Sequence, residues 1–145
     1  MTRTRLIAVI ACLALGGLAG AADFKPYPGA KIDEPATEEA MQALAEAKLT
    51  SQKVTIYTTE DPFAKVAAFY KGLANEYAMA GTSGSAGTPA KFEGDEAAFD
   101  LWEAFFIFDG AADIKDSRLW VKVQRPYVGE EVRDVTAIVV SEKAR

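Results

Sequence analysis

The pattern of apolar and polar positions is clearest over residues 54–77, where a strand pattern changes into a helix pattern. Residues 54–59 alternate with the two-residue period of a strand. Asp61 can accept hydrogen bonds from the free amides of a helix start, and Pro62 suits the first helical position. Apolar side chains then recur at helical spacing, at Phe63, Val66, Tyr70, Leu73 and Tyr77. The pattern predicts a strand followed by a long amphipathic helix over residues 62–77.

Further stretches complete the predicted elements. Residues 37–48 are strong helix formers with acids in the first turn and a lysine in the last, and they predict a short N-terminal helix. Residues 95–102 are compatible with a short helix capped by Asp95. Residues 104–108 are apolar at every position, which indicates a central strand covered on both faces. Two more strands are predicted, over residues 119–124 and 132–140.

Short connections between the last three strands favour antiparallel pairing. We therefore expect an α+β domain with a mainly antiparallel sheet of about four strands, one long helix packed on a face, and a short N-terminal helix. Because residues 104–108 are apolar on both sides of the strand, the second face also needs cover. The helix over residues 37–48, the segment that begins at Asp95 or a second subunit could supply it. Residues 81–89 predict a surface loop, since they lack the Gly-Lys-Ser/Thr ending of a phosphate-binding loop.

The N-terminal region has the three-part layout of a secretory signal peptide. Two arginines precede the apolar run Leu6–Leu18, and small residues follow it up to Ala21. We expect cleavage near Ala21, which makes residues 1–21 a signal peptide and residues 22–145 a single exported domain, periplasmic or secreted. A retained membrane anchor is the alternative, but the apolar run is shorter than the ~20 residues that a spanning helix needs.

The chain of 145 residues contains one cysteine and no histidine. Cys12 ends a stretch that resembles a lipidation box, but its use would leave an apolar signal core shorter than the ~7 residues expected. Signal cleavage would remove Cys12, so the exported domain would have neither a disulfide nor a thiol nucleophile. The lack of histidine excludes His-based triads, His metal ligands and an imidazole acid or base.

The formal net charge is −5, and loss of the two N-terminal arginines would make it more negative. An acidic chain without a basic cluster is poorly suited to a nucleic acid or an anionic membrane. We therefore expect a protein partner or a small apolar ligand, no nucleic acid, and no stable membrane insertion after cleavage. The acidic residues Asp109, Asp113 and Asp116 lack the spacing of a calcium loop, and we expect no metal and no cofactor.

Several short motifs occur in a fixed order along the chain. They are Pro26–Gly29, Thr58–Pro62 followed by Phe69–Lys71, Phe108–Ala111, Trp120–Tyr127 and Asp134–Ile138. In this order they resemble small exported bacterial proteins of uncharacterised function. The resemblance implies export and a compact domain, and it supplies no activity and no catalytic residue.

A narrower resemblance involves the strand that leads to Asp61-Pro62 and the later pair Phe69-Tyr70. This segment is similar to the opening of a glyoxalase or bleomycin-resistance module. Those enzymes bind a metal through histidine and glutamate, and this chain has no histidine. The shared piece is better explained by the start of a helix and by core packing.

The strand over residues 119–124 carries the candidate binding surface. Leu119, Val121 and Val123 form one face, which leaves Trp120 with Lys122 and Gln124 on the other. One interpretation is that Trp120 packs under a peripheral helix or loop, since large aromatic side chains are mostly buried. The other is a shallow recognition surface, because aromatic and arginine side chains are enriched among interface anchors. Its members would be Trp120, Gln124, Arg125 and Tyr127.

No sequence feature identifies a reaction, and we assign no catalytic residue. We expect an exported, non-catalytic binding or interaction module of the cell envelope. The alternative is a hydrolase or lyase that uses carboxylates, with no His or Cys in its site. The adjacent acids Glu60-Asp61, Asp95-Glu96 and Glu130-Glu131 are more simply explained by capping and solvation.

Overall fold

The computed structural model describes residues 23–94 and 97–144. The predicted signal peptide of residues 1–21 lies outside the described residues, and so do Cys12, Asp95 and Glu96. The elements are β1 (Lys31–Ile32), α1 (Glu34–Glu46), β2 (Gln52–Thr59), α2 (Phe63–Lys71), β3 (Asn75–Tyr77), β4 (Ala90–Glu93), β5 (Ala98–Ile107), β6 (Leu119–Arg125), β7 (Tyr127–Val128), β8 (Val132–Arg133) and β9 (Thr136–Lys143). Neither α1 nor α2 is long and apolar enough to cross a membrane.

The strands form one antiparallel sheet of seven strands and a separate small hairpin. The order in the large sheet is β1-β2-β9-β6-β5-β3, with β4 pairing with the first four residues of β5, while β7 pairs with β8 in the small hairpin. The class is α+β, but the expected architecture of about four strands and one long helix is wrong. The sheet is larger than predicted, and two helices of moderate length accompany it.

The predicted long helix over residues 62–77 is shorter than expected. α2 has nine residues and ends at Lys71, and the amides of Leu73 and Ala74 both donate to the Tyr70 carbonyl to close its last turn. The chain then enters β3, where Tyr77 pairs with Phe105 on β5. Tyr77 therefore fits the helical spacing by coincidence, because pairing with β5 determines its conformation. Leu73 still packs against the core, although it lies beyond the helix.

The other helix is α1, which begins three residues before the predicted start. The Asp33 carboxylate caps it by accepting a hydrogen bond from the Ala36 amide at 3.0 Å, and Pro35 lies in its first turn. The predicted helix over residues 95–102 is wrong. Residues 98–102 belong to β5, a single ten-residue strand that pairs first with β4 and then with β6.

The main core lies between α2 and one face of the sheet. Val66, Ala67 and Tyr70 on α2 are fully buried. They pack on sheet residues that include Phe106, Val121, Val123, Ile138 and Val140. The burial predicted for residues 104–108 is confirmed, as is the inward face of Leu119, Val121 and Val123.

The second face of the sheet is covered in part by α1, which lies over β2. Ala36 on α1, Ile56 on β2 and Ala137 on β9 form a smaller buried cluster there, together with Tyr127 from the small hairpin. The N-terminal helix is one of the candidates that the sequence offers to cover the second face of the sheet, and α1 does cover part of it.

Candidate functional site

The structure does not bring the four predicted surface residues together. The cross-strand pairs place Trp120 opposite Ile107 and Arg125 opposite Trp102, and since side chains alternate along β6, Trp120 and Arg125 lie on different faces. Trp120 is partly exposed and packs against Phe105, with ring centroids 6.0 Å apart and the rings tilted by 41°. Only Trp120 is therefore left on the predicted surface as a partly exposed anchor.

Gln124 and Tyr127 are buried and already have structural roles. Gln124 is 4% exposed, its amide nitrogen donates to Glu103 Oε2 at 3.0 Å, and its amide oxygen accepts from the Val128 amide at 3.0 Å. Tyr127 is 7% exposed and packs in the cluster beneath α1. Neither side chain is free to contact a partner in this conformation.

Arg125 holds the turn between β2 and α2 against the sheet. Its Nη1 donates to the carbonyl oxygens of Glu60 and Asp61, both at 3.2 Å, and to Thr136 Oγ1 at 3.1 Å. Its Nε and Nη2 donate to the side chain and backbone of Asp134. The guanidinium therefore connects β6, β9 and the start of α2, and it fixes one wall of a cleft.

This cleft, named here the Trp102 cleft, has a volume of about 380 Å³ and lies at the start of α2. Its lining residues are Glu60, Pro62, Phe63, Ala64, Ser85, Trp102 and Arg125. The rings of Phe63 and Trp102 are 5.8 Å apart and tilted by 35°. The cleft thus combines an aromatic wall with a small number of polar groups.

The first turn of α2 reaches the cleft without a side-chain cap. The residue before the helix is Pro62, which provides no capping side chain, so the prediction that Asp61 caps the helix is wrong. The Asp61 carboxylate instead accepts a hydrogen bond from the Tyr27 hydroxyl at 2.6 Å and pairs with Lys65 at 3.4 Å. The Tyr27 hydroxyl, helped by Lys65, holds the pKa of Asp61 below its usual value, so this carboxylate stays ionised.

The loop over residues 81–89 supplies the remaining wall. It has no regular secondary structure, as predicted, but hydrogen bonds fix it at two points. The Ser83 hydroxyl is 2.9 Å from the backbone nitrogen and oxygen of Glu103 on β5. The Ser85 amide donates to Glu76 Oε2 at 2.9 Å, and the Ser85 hydroxyl donates to the other oxygen of the same carboxylate. Ser85 is therefore held at the rim of the Trp102 cleft.

Other carboxylates with altered acidity stabilise local structure. Burial alone would raise the pKa of Asp109, but hydrogen bonds from the Arg118 amide and the Ser117 hydroxyl lower it. Burial would likewise raise the pKa of Asp33, and hydrogen bonds from Arg133 and the Ala36 amide lower it. Both carboxylates are ionised hydrogen-bond acceptors. The described residues contain no group of three or more Asp, Glu, His or Cys placed to hold a metal ion.

Trp102 is the site residue that the sequence interpretation missed, because it was assigned to the end of a helix. Residues 102, 104 and 106 share one face of β5, and the same two-residue period places Arg125 beside Trp102. If residues 98–108 are interpreted as one strand, their two-residue period places Trp102 on the same face as residues 104 and 106, so the sequence could have identified it. In comparisons with known proteins, no family model, no curated protein and no solved structure matches this chain.

Proposed function

We propose that residues 22–145 form an exported, non-catalytic binding domain of the cell envelope and that the Trp102 cleft is its ligand site. The observation that carries the proposal is the aromatic wall of Phe63 and Trp102 beside the Arg125 guanidinium. Ligand sites are typically concave, about 300–1,000 Å³ in volume, and mainly apolar with a few polar groups. At about 380 Å³ the cleft fits a small ligand or one side chain of a partner.

The surface around Trp120 is a second candidate, as a contact for a protein partner. Its support is the partly exposed Trp120 ring that packs against Phe105, with Lys122 next to it along the face. Burial lowers the pKa of Lys122, although the Glu103 carboxylate 3.9 Å away opposes the shift. Fewer observations support this surface than support the cleft, because Gln124 and Tyr127 are buried and do not contribute to it.

The alternative of a carboxylate-dependent hydrolase or lyase has less support. Such a site needs two carboxylates in one cleft, with the pKa of at least one raised so that it can act as an acid. Glu60 is the single carboxylate among the residues that line the Trp102 cleft. The aspartates with clearly shifted acidity, Asp33, Asp61 and Asp109, have lowered pKa values.

Ligand binding can be tested with the two tryptophans, because the chain contains only these two and they lie on opposite faces of the sheet. A screen of small aromatic compounds should shift the indole N–H signal of Trp102 in a ¹H–¹⁵N NMR spectrum, with little change at Trp120. Trp102→Ala should weaken binding of each hit by about tenfold or more, whereas the matched control Trp120→Ala should bind within about twofold of the parent.

Assignment of the two indole signals uses Trp102→Phe and Trp120→Phe, each of which removes one signal. Denaturation curves must show that Trp102→Ala remains folded at the temperature of the titration. If the hits shift Trp120 and lose affinity only in Trp120→Ala, the recognition surface lies on β6 and the cleft is not the site. A screen without any hit at Trp102 would also reject the proposal.

Export is supported by the arginine-led apolar run Leu6–Leu18 and by the resemblance to small exported proteins. In a bacterium that expresses the chain with its own N-terminus, we expect the processed protein to begin at Ala22. Intact-mass analysis and N-terminal sequencing of the periplasmic or secreted fraction measure this directly. Replacing both small residues at the cleavage site, Ala19→Leu with Ala21→Leu, should leave the chain unprocessed. An intact Met1, or a lipid on Cys12, would contradict the expected processing.

A further inference from the structure

The Trp102 cleft carries one negative charge that the protein itself does not neutralise. Glu60 is exposed at its rim, and no ion pair with another described residue involves this carboxylate. The positive group of the lining, Arg125, is 3.2 Å from the Asp134 carboxylate, and each of its three nitrogens donates to a protein oxygen. The cleft therefore holds one compensated cation and one uncompensated anion.

The charges just outside the cleft leave the same sign in excess. Asp61, directly before α2, pairs with Lys65 at 3.4 Å, so this pair adds no net charge. Together with Glu60, Arg125 and Asp134 it leaves one negative charge over. The positive end of the α2 dipole opposes that charge, but it is equivalent to only about half an elementary charge. Because the whole chain also carries a net charge of −5, the potential at the cleft favours a cation over an anion.

The aromatic wall gives a cation a second favourable contact. The Trp102 ring is partly exposed, and Phe63, which is 6% exposed, supports it with the two ring centroids 5.8 Å apart. A cation is attracted to the face of an aromatic ring within about 6 Å of its centroid, and tryptophan attracts it most strongly. The two centroids are close enough for one bound cation to lie within this range of both rings.

The hydrogen-bonding groups of the cleft favour a cation with few N–H donors. A primary ammonium has three donors, and each needs an acceptor when the group leaves water. The lining offers one carboxylate, that of Glu60, and the carbonyl oxygens of Glu60 and Asp61 already accept from Arg125. An alkylated ammonium keeps the charge without these donors, and its alkyl groups can pack on the apolar rim formed by Pro62 and Ala64.

We infer that the Trp102 cleft, taken as the ligand site of the proposed function, binds organic cations that carry an alkylated ammonium group. The cation contacts the face of the Trp102 ring, and the Glu60 carboxylate at the rim balances its charge. The same group at the end of a larger molecule would enter the cleft in the same way.

The test adds three probes of nearly equal size and different charge to the screen of aromatic compounds. They are choline, the neutral alcohol in which a carbon atom replaces the choline nitrogen (tert-butylethanol), and the anion of tert-butylacetic acid. Each is titrated at neutral pH into the protein as purified from the expressing cell, and the assigned indole N–H signals are followed. Choline should shift Trp102 saturably and bind about fivefold or more tightly than the alcohol, with the anion weakest. Trp120, on the opposite face, should change little.

Charge and ring are tested by separate variants. Glu60→Gln should weaken choline binding by about threefold and leave the alcohol unaffected. The matched control Glu38→Gln removes an exposed charge from α1, on the other face of the sheet, and should bind choline within about twofold of the parent. Trp102→Leu should abolish most of the preference for choline over the alcohol, with the Ala64 and Ser85 backbone amide signals as the readout. Because Glu60 is exposed, its variant remains informative even if Trp102→Leu fails to fold.

The outcomes separate this inference from the proposed function. If the alcohol or the anion binds at Trp102 as tightly as choline, the inferred ligand class is wrong although the cleft still binds ligands. If none of the three probes shifts Trp102 while aromatic compounds do, the class is again wrong and the binding function stands. Equal losses in Glu60→Gln and Glu38→Gln would overturn the role of Glu60. If no compound of any kind shifts Trp102, both the inference and the proposed function are rejected.

Discussion

Replacing Phe106 with alanine should lower the free energy of unfolding by roughly 3–5 kcal/mol, as measured by chemical denaturation. Phe106 is 0% exposed and lies on the sheet face beneath α2, with its ring 6.2 Å from that of Tyr70. It pairs across the strands with Val121, which is also fully buried. Removal of the ring would leave a cavity at the centre of the helix–sheet contact, where close-packed neighbours can relax only in part.

The matched control is Phe99→Ala on the same strand, β5. Phe99 is partly exposed and packs against Phe92 on the neighbouring strand β4, with ring centroids 4.9 Å apart. Loss of such a cross-strand pair should cost about 1 kcal/mol or less. Equal losses from Phe106→Ala and Phe99→Ala would contradict the assignment of the main core to the face beneath α2.

Side-chain direction along the longer strands could be predicted from the sequence. In a strand, direction depends only on the two-residue period, so the assignment of Val121 and Val123 to one face and Trp120 to the other is confirmed. The uniform apolar run over residues 104–108 also correctly indicated a strand that is buried on both sides. Side-chain direction and strand burial follow from the local sequence, so they can be predicted without knowing which strands pair.

The shorter strands could not be predicted, because pairing and not local composition creates them. β3 and β4 have three and four residues, and both pair with β5. Residues 75–77 continue a helical spacing, so the local pattern favours the wrong structure there. The number of strands, and with it the architecture, depends on contacts between segments that are distant in sequence.

The candidate site was missed for a related reason. Trp120, Gln124, Arg125 and Tyr127 were grouped because they are close along the chain, but alternation on β6 separates Trp120 from Arg125. Tyr127 lies beyond the end of β6 and turns into the cluster beneath α1. Arg125 remains at the candidate site, but its aromatic neighbour is Trp102 on β5, which only the sheet pairing reveals.

Replacing Arg125 with methionine should destabilise the fold by roughly 2–4 kcal/mol and weaken ligand binding in the Trp102 cleft. The guanidinium donates to two backbone carbonyls in the turn before α2 and to Thr136. Its loss takes this donor from the Glu60 carbonyl and leaves the Asp61 carbonyl with only the hydrogen bond from the Thr136 hydroxyl. Arg125 side-chain exposure is only 22%, which limits how well water can replace it. Denaturation midpoints measure the stability, and NMR titration of the Trp102 indole signal measures the binding.

Arg125→Lys separates the charge from the geometry of the guanidinium. A lysine ammonium keeps the positive charge but presents one nitrogen, which cannot reach the carbonyls of the β2–α2 turn and the Asp134 carboxylate together. We therefore expect Arg125→Lys to recover less than half of the stability that Arg125→Met loses. The control is Lys91→Met, which breaks the exposed ion pair with Asp100 and should change the unfolding free energy by only about 0–1 kcal/mol. If Arg125→Lys were as stable as the parent, the hydrogen bonds of Arg125 would not hold the turn in place, because charge alone would suffice to position the wall of the cleft.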